Sequence, residues 1–194
     1  MDDRTTLIVG LGGTTRPGSS TEQALHLALA CAREAGAETE MFSGPDLLLP
    51  MYQAEPKAGD NAGARLIASL RRADGVIVAS PVYHGGISGL LKNAIDYTEE
   101  MRNDARVYLD RRAVGAIASG FGSQGPAVVL GQLRDITHAL RGWPVPLGVA
   151  INSAIVRFQD GTCSDDAIAG QIKTMARQVV FFAASCKGVE LPQA

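Results

Sequence analysis

Between the apolar run 7–9 and a helix-like stretch over 22–34 lies GLGGTTRPGSST, residues 10–21. It carries four glycines, one arginine and five hydroxyls within the eight residues from Thr14 to Thr21. Glycines let a backbone approach a ligand closely; hydroxyls and N–H groups at a helix start donate to anions. Three phosphate chemistries compete for such a loop. The dinucleotide fingerprint G-x-G-x-x-G finds Gly10 and Gly12 but Thr15 in third place. Met41, Phe42 and Ser43 stand where an acidic residue should close the second strand. The triphosphate loop G-x-x-x-x-G-K-[ST] finds Gly13, Gly18 and Ser20, but Ser19 replaces its lysine. A monophosphate cradle, of the kind flavin mononucleotide (FMN) needs, requires neither missing residue. Thr14, Thr15, Ser19, Ser20 and Thr21 would donate hydroxyls, Arg16 one charged contact, and a helix starting near Ser20 its dipole. A Gly/Thr/Ser turn that merely caps a helix is the bland alternative, and the density of hydroxyls weighs against it.

Two further loops share this character. One runs Ser80-Pro81-Val82-Tyr83-His84-Gly85-Gly86-Ile87-Ser88-Gly89, with a helix expected near Ser88. The other is Ser119-Gly120-Phe121-Gly122-Ser123-Gln124-Gly125, again before a helix. Glycine-dense turns at three such places are hard to explain by packing alone.

Stepwise alternation supplies the elements that would hold these loops together. Short runs at Leu7–Leu11, Thr39–Phe42, Val76–Ala79, Val114–Ala118 and Val145–Ile151 read as strands. Most are continuously apolar, as parallel strands covered on both faces should be. Helical stripes lie between them: Ala24, Leu25, Ala28, Leu29, Cys31, Ala32; then Leu66, Ile67, Leu70, Ala73; then Leu90, Leu91, Ala94, Ile95; then Val129, Leu133, Ile136, Leu140. A last stripe runs through Ile168, Ile172, Met175, Val179, Phe182 and Cys186. Five strands alternating with five helices make a doubly wound α/β sheet in a single domain over 1–194. Ligands of such sheets sit at the carboxyl ends of the strands, so the loops after the first, third and fourth strands should meet. The connection from Ser43 to Asp60 is long and contains LLLPMY at 47–52, an apolar patch expected to pack on a neighbour or over the site. The tail 189–194 reads as frayed.

GGTTRPGSST, SPVYHGGISGLLKNAIDY and ASGFGSQG together resemble the NADPH-dependent FMN reductase family. The segment from Ser80 to Tyr83, followed by Leu91-Lys92-Asn93-Ala94-Ile95-Asp96-Tyr97, is the most specific part, and LLLPMY is similar as well. The resemblance implies a flavodoxin-like sheet of order 2-1-3-4-5 with helices on both faces. It implies that Thr14, Arg16, Ser19, Ser20 and Thr21 take the phosphate of FMN. Pro81, Val82, Tyr83, His84, Gly85 and Gly86 would then run along the isoalloxazine, and Ser119, Gly120, Gly122, Ser123 and Gln124 would close its other edge. His84 and the two glycines after it depart from the polar residue many members carry there, which leaves a roomier site. Backbone amides between Val82 and Gly86 are expected to stabilise charge on the reduced ring.

No nucleophile-and-base arrangement is found, which suits an enzyme whose cofactor does the chemistry. His26 and His138 read as surface helix residues, and Asp165-Asp166 as helix N-terminal charge. Cys31, Cys163 and Cys186 lie far apart, without metal-ligand spacing, and read as thiols of a reducing cytoplasm. A net charge of −2 offers no basic surface for nucleic acid or acidic membrane, and is small for an electron carrier, the rival reading. No apolar run reaches the roughly 18 residues of a membrane span, and the polar MDDRTT start suggests no signal peptide. The reading is a cytoplasmic NADPH- or NADH-dependent flavin reductase. Its acceptor would be a small molecule such as free flavin, a quinone or an azo compound, and its reduced flavin would be available to a monooxygenase. Because an exposed apolar loop invites association, a homodimer or a dimer of dimers is expected.

Overall fold

The computed structural model describes residues 4–55, 61–159 and 161–187. Its strands are β1 (Leu7–Gly12), β2 (Glu38–Ser43), β3 (Gly75–Pro81), β4 (Ala113–Gly120), β5 (Trp143–Pro144), β6 (Val149–Asn152), β7 (Phe158–Gln159) and β8 (Thr162–Cys163). Its α-helices are α1 (Ser20–Glu34), α2 (Ala64–Arg72), α3 (Gly89–Asp96), α4 (Gln124–Ala139) and α5 (Asp166–Ser185). The parallel sheet runs β2-β1-β3-β4-β5, and β6 also pairs with β4. The order expected from the resemblance therefore holds, with helices on both faces.

The fifth position differs in detail. Instead of one strand over 145–151, two short strands flank a break around Pro146, and each continues the pairing of β4. Pro144 and Pro146 lack the N–H that a continuous ladder needs; Val145 between them still donates to Val114 O at 3.0 Å. A small antiparallel pair, β7 with β8, was not expected from the sequence.

Alternation across the pleat divides the core. Leu7, Val9 and Leu11 of β1 pack with α2, α3 and α4, whereas Ile8 packs with α1 and α5 on the other face. Every residue of β1 and β3 is buried, which is why their runs are apolar throughout; edge strand β2 buries only Phe42. α1 approaches β1 so closely that a Cβ on Gly10 would stand 2.7 Å from Leu29 Cδ1. Asp165 caps α5 by accepting Ile168 N–H at 3.0 Å, the role expected for that acidic pair. His26 and His138 are exposed on their helices.

The long second connection is partly resolved by its own chain. Leu47 is fully buried, and Leu49 and Tyr52 pack on the core. Asn93 of α3 donates to Leu49 O and Pro50 O and accepts Tyr52 N–H. Tyr97 OH donates to Pro50 O at 2.9 Å, and its ring meets Tyr52 edge-on. Leu48 and Met51 remain 63% and 75% exposed. Residues 56–60 of this connection and the tail 189–194 lie outside the described residues.

Candidate functional site

The first loop leaves β1 and is stitched down at once. Gly13 N–H donates to Ala79 O at 2.8 Å; a Cβ there would meet Ser88 Oγ at 2.4 Å and Leu91 Cβ at 2.7 Å, so only glycine fits. Thr14 Oγ1 accepts Arg16 N–H at 3.2 Å. Ser19 is the N-cap of α1, its Oγ accepting Glu22 N–H at 3.2 Å. Each of these hydroxyl oxygens receives a backbone proton, which leaves its own O–H to donate. The first helical N–H groups of α1, at Ser20 and Thr21, have no carbonyl within the helix to meet. Glu22 is held by Gly18 N–H at 2.6 Å and Ser43 Oγ at 3.2 Å.

The second loop is a tight hairpin turn. Tyr83 and Gly86 exchange both backbone hydrogen bonds, at 3.1 and 3.0 Å, across His84 at φ 50° and Gly85 at φ 81°. Two positive φ values in succession are the type I′ signature. Gln132 of α4 clamps the turn, donating to Gly85 O at 3.0 Å and accepting Ile87 N–H at 3.2 Å. Val82 N–H donates to Ser119 O at 2.8 Å. The amides of Val82, Tyr83 and Gly86 are thus engaged by the protein itself, which narrows the charge stabilisation expected of this stretch to His84 and Gly85. Ser88 caps α3 through Leu91 N–H.

The third loop leaves β4 at Gly120, where a Cβ would press on Val82 Cβ at 2.8 Å. Phe121 follows, 88% exposed, and then Gly122 at φ 82°. Ser123 precedes α4 without making a side-chain cap.

The three loops converge as expected on one open cavity of about 190 Å³. From the first loop it is lined by Thr14, Arg16, Ser19, Ser20 and Thr21; from the second by Pro81, Val82 and Tyr83; from the third by Ser119 and Gly120. His84, Gly85, Gly86, Gly122, Ser123 and Gln124 are not in the lining. Two residues that sequence reasoning passed over are: Phe121 and, from the exit of β6, Ser153. Both had a signal. Phe121 is an aromatic flanked by glycines in a loop already singled out, and Ser153 follows the fifth apolar run at the same sheet edge.

The donor set fits a phosphate. Residues bearing hydroxyls, the first amides of α1 and one arginine line the cavity, and among the described residues no carboxylate does. No ion pair joins the Arg16 guanidinium among the described residues. A phosphate held this way meets mainly neutral donors aligned by the α1 dipole. Pro81, Val82, Tyr83 and Phe121 supply the apolar wall that a flat ring system requires. Among the described residues no cluster of His, Cys, Asp and Glu could hold a metal.

Comparison with known proteins agrees with this geometry. The family model for NADPH-dependent FMN reductase matches residues 6–155. An iron-sulfur flavoprotein of Methanocaldococcus jannaschii is 31% identical over 126 residues, 61% of this chain and 64% of the relative. An FMN-dependent NADPH-azoreductase of Staphylococcus haemolyticus is 34% identical over 115 residues, 57% of this chain and 56% of the relative. The chain thus spans less than two thirds of the length of either. The solved structure of FerB, a flavoenzyme NAD(P)H:(acceptor) oxidoreductase from Paracoccus denitrificans, superposes with a TM-score of 0.73 at 21% identity, over 94% of this chain and 98% of that one. At that identity the likeness speaks for the fold alone.

Proposed function

The chain belongs to the NADPH-dependent FMN reductase family, and on that premise we propose that it is an NAD(P)H-dependent flavin reductase. It passes hydride through FMN to a second small-molecule acceptor: free flavin, a quinone or an azo compound. The observation that carries this reading is the meeting of a donor-only phosphate cradle with two aromatic-bearing loops in one cavity. When bound, FMN supplies the hydride and electron chemistry, with NADPH or NADH as co-substrate. The chain's own residues bind and orient. Thr14, Ser19, Ser20 and Thr21 donate to the phosphate, and Arg16 adds the one charge. Pro81 to Tyr83 and Ser119 to Phe121 would flank the ring system, in a cavity open enough to admit nicotinamide or an acceptor. No side chain here has to hold or move a proton as nucleophile or base.

Iron–sulfur chemistry is not carried over from the archaeal relative. A cluster takes four thiolates, and the three cysteines stand free on α1, on β8 and at the end of α5. Burial, with Glu34 adding to it, pushes the Cys31 thiol up, which disfavours the thiolate that a cluster would need. Three free thiols suit a reducing compartment and support the reading of a cytoplasmic protein; among the described residues no helix is long and apolar enough to cross a membrane. Exposed Leu48 and Met51 support a covering subunit, hence a dimer or a dimer of dimers. Reduced flavin leaving the open cavity would serve a flavin-dependent monooxygenase.

The test is anaerobic. Purified protein loaded with FMN should bleach within seconds of adding NADPH or NADH and recolour on adding a quinone, an azo dye or free flavin. Flavin that stays oxidised with both nicotinamides but accepts electrons from dithionite would overturn the reductase and leave the carrier. Sedimentation of the same sample reads the subunit number.

A further inference from the structure

Asn152, the last residue of β6, sits behind the cavity wall. Its Oδ1 accepts Gly122 N–H at 2.9 Å and Ala154 N–H at 3.0 Å. Ser153, the next residue, donates its N–H to Gly120 O at 2.9 Å and lines the cavity. One side chain therefore joins the exit of β6 to the loop that leaves β4. That loop has little else to fix it. Gly122 is in the left-handed region, a Cβ there would touch nothing within 4 Å, and Ser123 gives no side-chain cap. Phe121, between Gly120 and Gly122, is exposed yet forms part of the wall. The far side of the same turn is also fastened: the Arg157 guanidinium donates to Ser153 O, to Ala154 O at 2.8 Å and to Val156 O at 3.3 Å.

The geometry points to Asn152 as a positioning residue of the flavin site. By holding the Gly122 amide it fixes where Phe121 stands beyond the end of β4, and by holding the Ala154 amide it adds to the ties that Gly120 O and Arg157 already give Ser153. A single acceptor oxygen serving two loops couples them: losing it releases the Gly122 amide and with it Phe121, and removes one of the ties on the turn that carries Ser153. An aliphatic residue of the same size would leave both N–H groups to water and the loop to its glycine. This assignment rests on the reading of the cavity as a flavin site.

The experiment uses the full chain and two probes, FMN and riboflavin. Asn152→Ala removes two hydrogen bonds and should weaken both flavins by roughly 10- to 50-fold. In the flavin-free protein, hydrogen–deuterium exchange over residues 120–123 should quicken, while exchange in β1 and β3 stays unchanged. Asn152→Asp keeps an acceptor oxygen in the same place, so the slow exchange and the riboflavin affinity should return to within about threefold of the original. FMN affinity is the less direct reading there, because the added charge also repels the phosphate. Should Asn152→Ala not fold, Asn152→Ser, with a shorter acceptor, carries the same comparison against Asn152→Asp. Unchanged flavin affinities in the Ala or Ser variant overturn the assignment, as does an Asp variant no better than the Ala or Ser one for riboflavin. A wild-type protein that binds neither flavin overturns the reading of the site itself.

Discussion

At the carboxyl edge of the sheet, α1, α3 and α4 begin; at the amino edge, α2 ends against Arg112 and Asp74. Both edges are rich in polar groups, and they use them differently. Arg112 is fully buried and donates to Leu70 O at 3.1 Å, Ala73 O at 3.2 Å, Arg71 O at 3.0 Å and Tyr108 O at 2.9 Å. These include the last carbonyls of α2, which have no partner within the helix. Burial, with Arg106 nearby, pushes its pKa down to about 9, which still leaves it charged at neutral pH. Asp74, also buried, accepts Leu7 N–H at 2.9 Å and a bidentate pair from Arg4. A cavity of about 200 Å³ opens here too, lined by Arg4, Asp74, Arg106, Arg111 and Lys187. Yet Asp74 engages Arg4 and Lys187, and Asp110 engages Arg111. At the amino edge charge meets charge or carbonyl, and the fold consumes it. At the carboxyl edge the donors are mostly neutral; the hydroxyls of Thr14 and Ser19 accept from the backbone, and their protons remain for something else. A dense set of charges is therefore a weaker sign of a site than a set of half-satisfied neutral donors.

The largest effect expected from this division lies at Arg112. Arg112→Leu takes a donor from its carbonyl partners, of which Leu70 O keeps Ala73 N–H and Ala73 O keeps Arg106, and should destabilise the fold by about 3–5 kcal/mol, the range for breaking a buried charged network. Urea unfolding of the flavin-free protein reads that loss. Flavin affinity of the folded fraction should stay within about twofold. A variant that keeps its stability but loses flavin would erase the contrast between the edges.

The mirror experiment is Arg16→Ala. Its side chain is exposed and unpaired among the described residues, so unfolding free energy should move by less than about 0.5 kcal/mol. FMN, however, loses a charged hydrogen bond of about 1.5–3 kcal/mol, roughly a 10- to 150-fold weaker affinity. Riboflavin, which has no phosphate, should bind almost as before. Equal losses for the two ligands would show that Arg16 does not reach phosphate.

Local chemistry made most of this legible in sequence. The buried parallel strands are written in continuous apolar runs because both their faces are covered, and the caps Ser19, Ser88 and Asp165 sit where short polar residues precede apolar stripes. The strand order is different: nothing local in these runs states which neighbours pair, and it came from the family resemblance. What periodicity cannot carry is a partnership between distant segments. Asn93 and Tyr97 belong to the motif that most specifically carries the family resemblance, and they anchor the LLLPMY segment more than forty residues earlier; this part of the motif is scaffold. Asn152 likewise acts on a loop thirty residues upstream. The break at Pro146 has a local cause in Pro144 and Pro146, which lack the N–H a continuous strand needs, although the apolar run 145–151 spans it.

His84 is the finest test of where the carboxyl edge ends. It stands exposed at the tip of the turn, at φ 50°, one residue beyond Tyr83, which lines the cavity. Histidine tolerates the left-handed region better than branched residues do, so its place there needs no functional excuse. Because it lies outside the lining, His84→Ala should leave FMN affinity within about twofold. If the acceptor nonetheless passes this tip on its way to the ring, turnover with FMN, a quinone and an azo dye should change by unequal factors of up to about fivefold, since only contacts that differ between transition states alter specificity. His84→Asn is the control, keeping a residue at home in that backbone region while removing the imidazole. Unequal factors in both variants extend the site to the turn's tip. One common factor for all three acceptors would mean that the site stops at Tyr83 and that His84 serves only the turn, as Arg112 serves only the fold.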